Sequence, residues 1–181
     1  MPSITDYLIF GQSPNGEIII EPAKECPCPE CQNGILKIRG RVRRHIRKEE
    51  TGDTVWYRVP YGKCCNKDCG VMRRLLPDFM VPYKHYEVEA ITDVLDEVIT
   101  DDPRFNYPSA QTMRRWLLWY LKNENRVEGI FRSVGYRMLG FGEELLFQTS
   151  SLLHELRFRT DDWLKITVRL IYNSGNYLLP L

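Results

Sequence analysis

Cysteine is the residue type whose placement in this chain most plainly suits chemistry. Its six copies fall into two groups, Cys26, Cys28 and Cys31, then Cys64, Cys65 and Cys69. Two cysteines separated by two to four residues can bend back and present both thiolates to one ion, and two such pairs complete the tetrahedron of a structural zinc site. Cys28-Pro29-Glu30-Cys31 is one such pair. The second is read most simply as Cys64 with Cys69, while Cys65 with Cys69 is also geometrically possible and Cys26 is a further spare. One structural Zn2+ on Cys28, Cys31, Cys64 and Cys69 is therefore expected, with Cys26 and Cys65 as alternates. In a reducing cytosol, clustered thiols of this kind point to metal rather than to disulfides.

A catalytic zinc keeps one position open for water and has a Glu or His acting on it. No such general base stands out. Glu25 and Glu30 flank the first pair as exposed carboxylates do, and His45, His85 and His154 are scattered along the chain. The acidic pairs Glu143-Glu144 and Asp161-Asp162 sit where helix N-termini favour negative charge anyway. The reading is a non-enzymatic protein with no small-molecule substrate.

A second chemistry is carried by cations. The net charge is only +1, yet seven Lys or Arg residues and no Asp or Glu lie between Lys37 and Lys48. Read as a strand, this segment puts Ile38, Val42 and Ile46 on one face and Lys37, Arg39, Arg41, Arg43, His45 and Arg47 on the other. Cations at period two stand about 7 Å apart, comparable with phosphate spacing along one nucleic-acid strand, and would bind backbone without reading sequence. Further on, Gln111, Arg114, Arg115, Leu118 and Lys122 lie at helical spacing with the polar residues near the N-terminal end. Arg bonds guanine and Gln bonds adenine in the major groove, and Ser109 and Thr112 would reach phosphates at the helix start.

The elements that must position these residues follow from pattern. Tyr7 to Phe10 and Ile18 to Ile20, separated by Ser13-Pro14-Asn15-Gly16, read as a strand pair or ordered arm over 1–24. Residues 25–82 read as a zinc ribbon and linker: two knuckles, a β-hairpin turning at Thr51-Gly52-Asp53, and a Pro77- and Pro82-containing extended segment. Residues 83–181 read as a helical domain. Ile91, Val94, Leu95, Val98 and Ile99 form the stripe of one helix ending near Thr100, and Met113, Trp116, Leu117, Tyr120 and Leu121 that of the next, the two meeting through a short turn. Helices are also expected around Glu143 to Arg157 and Asp162 to Tyr172. The expected fold class is α+β, an N-terminal zinc-ribbon hairpin followed by an all-helical domain of helix-turn-helix type.

These residues carry a resemblance. Cys-Pro-x-Cys, a basic hairpin, a cysteine pair ending in Cys69-Gly70, then Leu76-Pro77-Asp78-Phe79, Pro82-Tyr83-x-x-Tyr86 and Pro108-Ser109-x-x-Thr112-x-Arg114-Arg115-Trp116 occur in succession. Over roughly residues 26–172 the chain resembles a family of uncharacterised bacterial proteins encoded near transposases, which share the zinc-ribbon and helix-turn-helix front end of insertion-sequence transposases. The resemblance implies DNA binding in a mobile-element setting, with Cys28 and Cys31 in the first knuckle. The second knuckle departs from the usual two-residue spacing, leaving Cys64 and Cys65 both open, and the tail after Gly142 reads as helical, with no room for a nuclease core.

Composition agrees with a folded soluble protein, 43% hydrophobic and 27% charged. No stretch approaches the ~20 apolar residues of a membrane span, and the first residues lack a signal peptide's basic start and apolar run, so a cytoplasmic location is expected. The functional expectation is a DNA-binding accessory or regulatory protein of a mobile element, held together by zinc. An adaptor docking on a transposase or a polymerase through Trp119 and the aromatic tail is the alternative.

Overall fold

In a computed structural model the described residues are 1–48, 50–98, 106–138, 143–147 and 149–180. The central element pair is the basic strand β4 (Leu36–Arg47) and its antiparallel partner β5 (Thr54–Cys64), in register from Leu36 opposite Cys64 to Arg47 opposite Thr54. A two-stranded hairpin is marginal in water, because its apolar face has nothing to cover it. Here the cover comes from both sides in sequence. β2 (Tyr7–Gln12) and β3 (Ile18–Pro22) form a hairpin, and β3 then runs parallel to β5 at Ile18 and Ile19. β6 (Met72–Arg74) pairs with the knuckle end of the same β5 edge. A separate two-stranded parallel sheet joins β1 (Ser3–Ile4) to β7 (Leu76–Pro77).

The helices are α1 (Val88–Asp96), α2 (Ala110–Met138), α3 (Glu144–Phe147), α4 (Leu152–Arg159) and α5 (Trp163–Asn173). Ile91, Val94, Trp116, Trp119, Trp163 and Ile171 are among the buried residues of their common core. The sheet's own core is Ile20, Ile46, Tyr57, Val59, Leu76 and Met80, and Met1 and Phe79 pack against both cores. The ends of the described chain are tied in as well: Asn173 at the end of α5 accepts from the Ser3 N–H at 2.8 Å and donates to the Ser3 carbonyl at 3.0 Å. Among the described residues no helix is long and apolar enough to cross a membrane.

This architecture corrects the expected fold. The protein is α+β, with a five-stranded and a two-stranded sheet among the described residues, and is not a zinc-ribbon hairpin followed by an all-helical domain. Nor do α1 and α2 meet through the three- or four-residue turn of a helix-turn-helix, since residues 97–109 separate them. Glu97, at φ 59°, closes α1 with a left-handed cap; the end expected near Thr100 lies outside the described residues. The stripe of α2 is also rotated from the expected one. Trp116, Trp119, Val127, Ile130, Phe131 and Val134 face the core, whereas Leu117 and Leu121 are exposed. The helix expected from Glu143 to Arg157 is interrupted, because the Ser151 hydroxyl accepts from the His154 N–H and starts α4 afresh.

Candidate metal centre

Each cysteine group sits in a tight turn at the end of a strand. In the first knuckle Gln32, at φ 55°, donates its N–H to the Cys28 carbonyl, and the Cys28 N–H reaches the Gly34 carbonyl. In the second, Asn66 accepts from the N–H groups of Cys69 and Gly70 through its carbonyl and from Asp68 through its side chain. The β4–β5 register places Leu36 opposite Cys64 and so brings the knuckles together. Their approach is close: a Cβ at Gly34 would lie 2.5 Å from the Cys64 sulfur, so only glycine fits there.

The result is a four-thiol cluster. The Sγ atoms of Cys28, Cys31, Cys64 and Cys69 all lie within 4.8 Å of one another, an arrangement that could hold a metal ion. Cys28 and Cys69 are 3.8 Å apart and Cys31 and Cys64 3.7 Å. Cys26 stays outside, buried with its thiol toward the Lys24 carbonyl at 3.6 Å, and burial raises its pKa. Cys65 is exposed, its sulfur accepting the Ile35 N–H at 3.3 Å. The choice left open by spacing thus falls to Cys64. None of His45, His85 and His154 joins the cluster; His45 and His85 stack on each other, with centroids 4.2 Å apart.

The surroundings pull the thiols in opposite directions, easing ionisation of Cys31 and opposing that of Cys64 and Cys69. Burial opposes ionisation of Cys31, yet the Asn33 N–H and the thiols of Cys64, Cys69 and Cys28 bring its pKa down to about 7. Burial and bonds to the other thiols push Cys64 up to about 12, against the Asn66 N–H. At Cys69 the Val71 N–H lowers the pKa, but burial and the thiols of Cys28 and Cys31 raise it further. In three of the four cases a backbone N–H two residues on points at sulfur. That is a fixed partial positive charge for a sulfur that becomes negative when it binds metal.

The cluster is welded to the rest of the molecule. Gly175, at φ 81°, passes so close to the first knuckle that a Cβ there would lie 2.5 Å from the Pro29 carbonyl oxygen. From there the C-terminal segment runs along α2, where buried Asn123 accepts the Leu179 N–H and donates to the Leu179 carbonyl. Lys122 reaches the Pro180 carbonyl at 3.4 Å, and Arg126 donates to the Tyr177 carbonyl and lies over its ring.

The cations of β4 are not one array. Between Ile38 and Gly40 the register shifts: Ile38 pairs with Gly62 but Gly40 with Tyr61, so Arg39 is an extra residue. A bulge reverses the alternation beyond it. Lys37 stands opposite Lys63, on the face of β5 that also carries Tyr61 and Val59, while Arg41, Arg43 and Arg47 pair with Pro60, Arg58 and Thr54 on the other face. The expected single basic face from Lys37 to Arg47 is therefore split, and Ile38 sits opposite Gly62 rather than with Val42 and Ile46.

The two sets also differ in what they touch. Arg41 pairs with Glu21, and Arg43 and Arg58 both pair with the carboxylate of buried Glu17. Arg44 is half-buried and donates to the carbonyls of Val81 and Lys84 at 2.7 and 2.6 Å. Arg47 donates to the Gly52 carbonyl at 3.2 Å. Lys37 and Arg39 are exposed and without a partner among the described residues, as are Lys63 and Arg74, which the sequence pattern does not single out. Lys63 could not be placed from the expected turn at residues 51–53, which would set Lys37 against Lys67; the observed pairing is centred near residue 50.

On α2, Gln111, Arg114 and Arg115 are exposed, with no partner among the described residues. Ser109 and Thr112 instead serve the helix start: the Ser109 carbonyl accepts from Thr112 and Met113, and the two hydroxyls are 3.2 Å apart. Trp119 is buried with the Lys84 ammonium 4.5 Å from its ring centre, so it offers no docking surface.

No curated protein and no solved structure matches the chain. Residues 28–116, from the first knuckle through the sheet to Trp116 of α2, match a family described as Domain of unknown function (DUF6431).

Proposed function

We propose that this protein is a zinc-stapled nucleic-acid-binding protein, with the metal structural and the knuckle end of the sheet gripping phosphate. Zinc suits the cluster because Zn–S bonds of about 2.3 Å set tetrahedral thiolates about 3.8 Å apart, matching the 3.8 and 3.7 Å separations of the two close pairs. Four thiolates close the site, so the ion holds the fold and leaves no position for water.

The observation that carries the binding reading is the unpaired cation set beside the cluster. Lys37 and Lys63 oppose each other directly, although like charges so placed weaken a sheet, and among the described residues no carboxylate pairs with either. Arg39 and Arg74 extend the set, and Gln111, Arg114 and Arg115 of α2 offer a second free polar surface. Such cations bind phosphates and release counterions. DNA of a mobile element, in an accessory or regulatory role, is the partner that the sequence resemblance implies.

One observation favours a second reading, an adaptor docking on a transposase or polymerase. Leu8, Ile9 and Phe10 on edge strand β2 are 51 to 65% exposed, and an apolar edge strand invites pairing with another chain.

Selection of the zinc-loaded protein against random duplex and single-stranded pools, followed by salt titration, tests the first reading. Retention that falls steeply with salt, with a shallower slope for Lys37→Ala with Lys63→Ala, is expected. No salt-sensitive retention on either pool rejects it in favour of the adaptor.

A further inference from the structure

A cleft of about 430 Å³ opens between β6 and the C-terminal segment, walled by Met72, Arg74, Tyr83, Tyr172 and Tyr177. That volume is in the range of small-ligand sites, roughly 300–1,000 Å³. Its composition is unusual for a surface: Tyr83 is 65% exposed, Tyr177 54% and Met72 54%. Tyr172 is the buried wall, its hydroxyl oxygen accepting the Leu178 N–H at 3.4 Å.

Tyr83 is held outward at a conformational cost. The Lys84 N–H bonds the Val81 carbonyl at 3.1 Å, closing a turn with buried Pro82 second and Tyr83 third, at φ 64°. Glycine or asparagine is the comfortable residue there, and an aromatic one is strained. Arg44 clamps the turn from beneath by donating to both the Val81 and Lys84 carbonyls. Strain held by a half-buried arginine clamp, for a side chain that ends in solvent, is the pattern of a ligand-contacting position.

The cleft continues the free cation set. Lys37, Lys63 and Met72 are consecutive cross-strand neighbours on β4, β5 and β6, and Arg74, two residues on, shares the face of Met72. A strand of nucleic acid following Lys37 and Lys63 is thereby led to Arg74 and the two exposed tyrosines. Aromatic faces beside a cationic track accept unpaired bases of any sequence, whereas a duplex keeps its bases stacked inside.

We infer that this cleft takes an unpaired base of a single-stranded nucleic acid, stacked on Tyr83 and Tyr177, with an adjoining phosphate on Arg74; the inference rests on the nucleic-acid reading above and specifies its substrate. The test uses the full-length, zinc-loaded protein and a single-stranded 15-mer containing one 2-aminopurine, with the same label in a duplex and as the free mononucleotide. Saturable quenching of the single strand is expected, with neither the duplex nor the mononucleotide quenched at the same protein concentrations. Tyr83→Gly should weaken that binding about tenfold, as loss of one base–aromatic stack does, while melting no earlier than the parent because glycine accepts the positive φ. Tyr83→Phe should bind like the parent. Unchanged affinity of Tyr83→Gly, or salt-sensitive retention without quenching, overturns the base site and leaves the phosphate-gripping reading standing. Equal quenching of the mononucleotide overturns the strand as ligand, and no retention of any nucleic acid overturns both.

Discussion

The stretch of β4 before its bulge and the stretch after it are equally rich in cations but use them differently. After the bulge, Arg41, Arg43, Arg44 and Arg47 each have an acceptor inside the molecule: Glu21, Glu17, two carbonyls of the 81–84 turn, and the Gly52 carbonyl. Before and at the bulge, Lys37 and Arg39 have none among the described residues, and Lys37 faces a second lysine. Charge along a strand is thus not the same as charge available to a partner. One stretch spends its cations on holding β3 and the 81–84 turn to the sheet, and the other leaves them in solvent beside the thiol cluster.

The largest perturbation of this contrast is removal of the staple beside the free stretch. Cys64→Ser should abolish stoichiometric zinc, a site of this class being worth on the order of 10 kcal/mol, and should lower the unfolding temperature sharply. Cys65→Ser and Cys26→Ser should keep one zinc per chain. Native mass spectrometry with thermal unfolding decides this, and zinc retained by Cys64→Ser would refute the ligand set. Because thiols must lose protons to bind the ion, zinc should also be released progressively as pH falls from 8 to 5.

Arg44→Ala attacks the engaged stretch and should cost about 3 kcal/mol, since two carbonyls lose a charged donor. Denaturant unfolding measures it; a loss below about 1 kcal/mol would mean that the 81–84 turn stands without its clamp.

A smaller effect is expected at Glu17. Its pKa is held below the ordinary value by the Arg58 hydrogen bond foremost, against burial, with Arg43 assisting. A lowered folded-state pKa gives stability that is present above the unfolded value and lost as pH falls through the folded one. Stability should therefore drop below the usual glutamate range, and Glu17→Gln should flatten that acid limb. The same variant frees Arg43 and Arg58, so its salt slope for nucleic acid should steepen toward that of a larger cation set. An unchanged slope would show that those arginines are held away from solvent for other reasons.

The smallest stability effect belongs to the free stretch. Lys37→Ala should be neutral or stabilise by about 0.5 kcal/mol, because it removes a cross-strand repulsion, yet it should reduce nucleic-acid affinity. Arg41→Ala should leave affinity nearly unchanged. Equal losses of affinity from the two variants would erase the distinction between the stretches.

How much of this was legible in the chain differs by residue. The first thiol pair followed from spacing, because a knuckle is a local object and Cys28 and Cys31 are three residues apart, whereas spacing left Cys64 and Cys65 both open. The strand character of β4 and β5 was legible for the same reason. The phase of the cations was not, although Gly40 is a visible signal, since a glycine inside a strand often marks a bulge. Tyr61 lies over Gly40 so closely that a Cβ there would meet its ring at about 3 Å. That contact is between strands and cannot be read along one.

By itself the sequence determined what depends on near neighbours: two cysteine knuckles, a basic strand and its partner, and apolar helical repeats. Only the tertiary structure decided which thiols converge, leaving Cys26 and Cys65 out, and which cations stay free. It also recruited β1 to β3 into the sheets and replaced the expected helix-turn-helix with α1 and a separate 29-residue α2. The physical reason is the same in each case. Convergence, cross-strand phase and salt-bridge partnership are set by residues tens of positions apart, such as Glu17 with Arg58 and Arg44 with Val81. Their pairing exists only once the chain has folded back on itself.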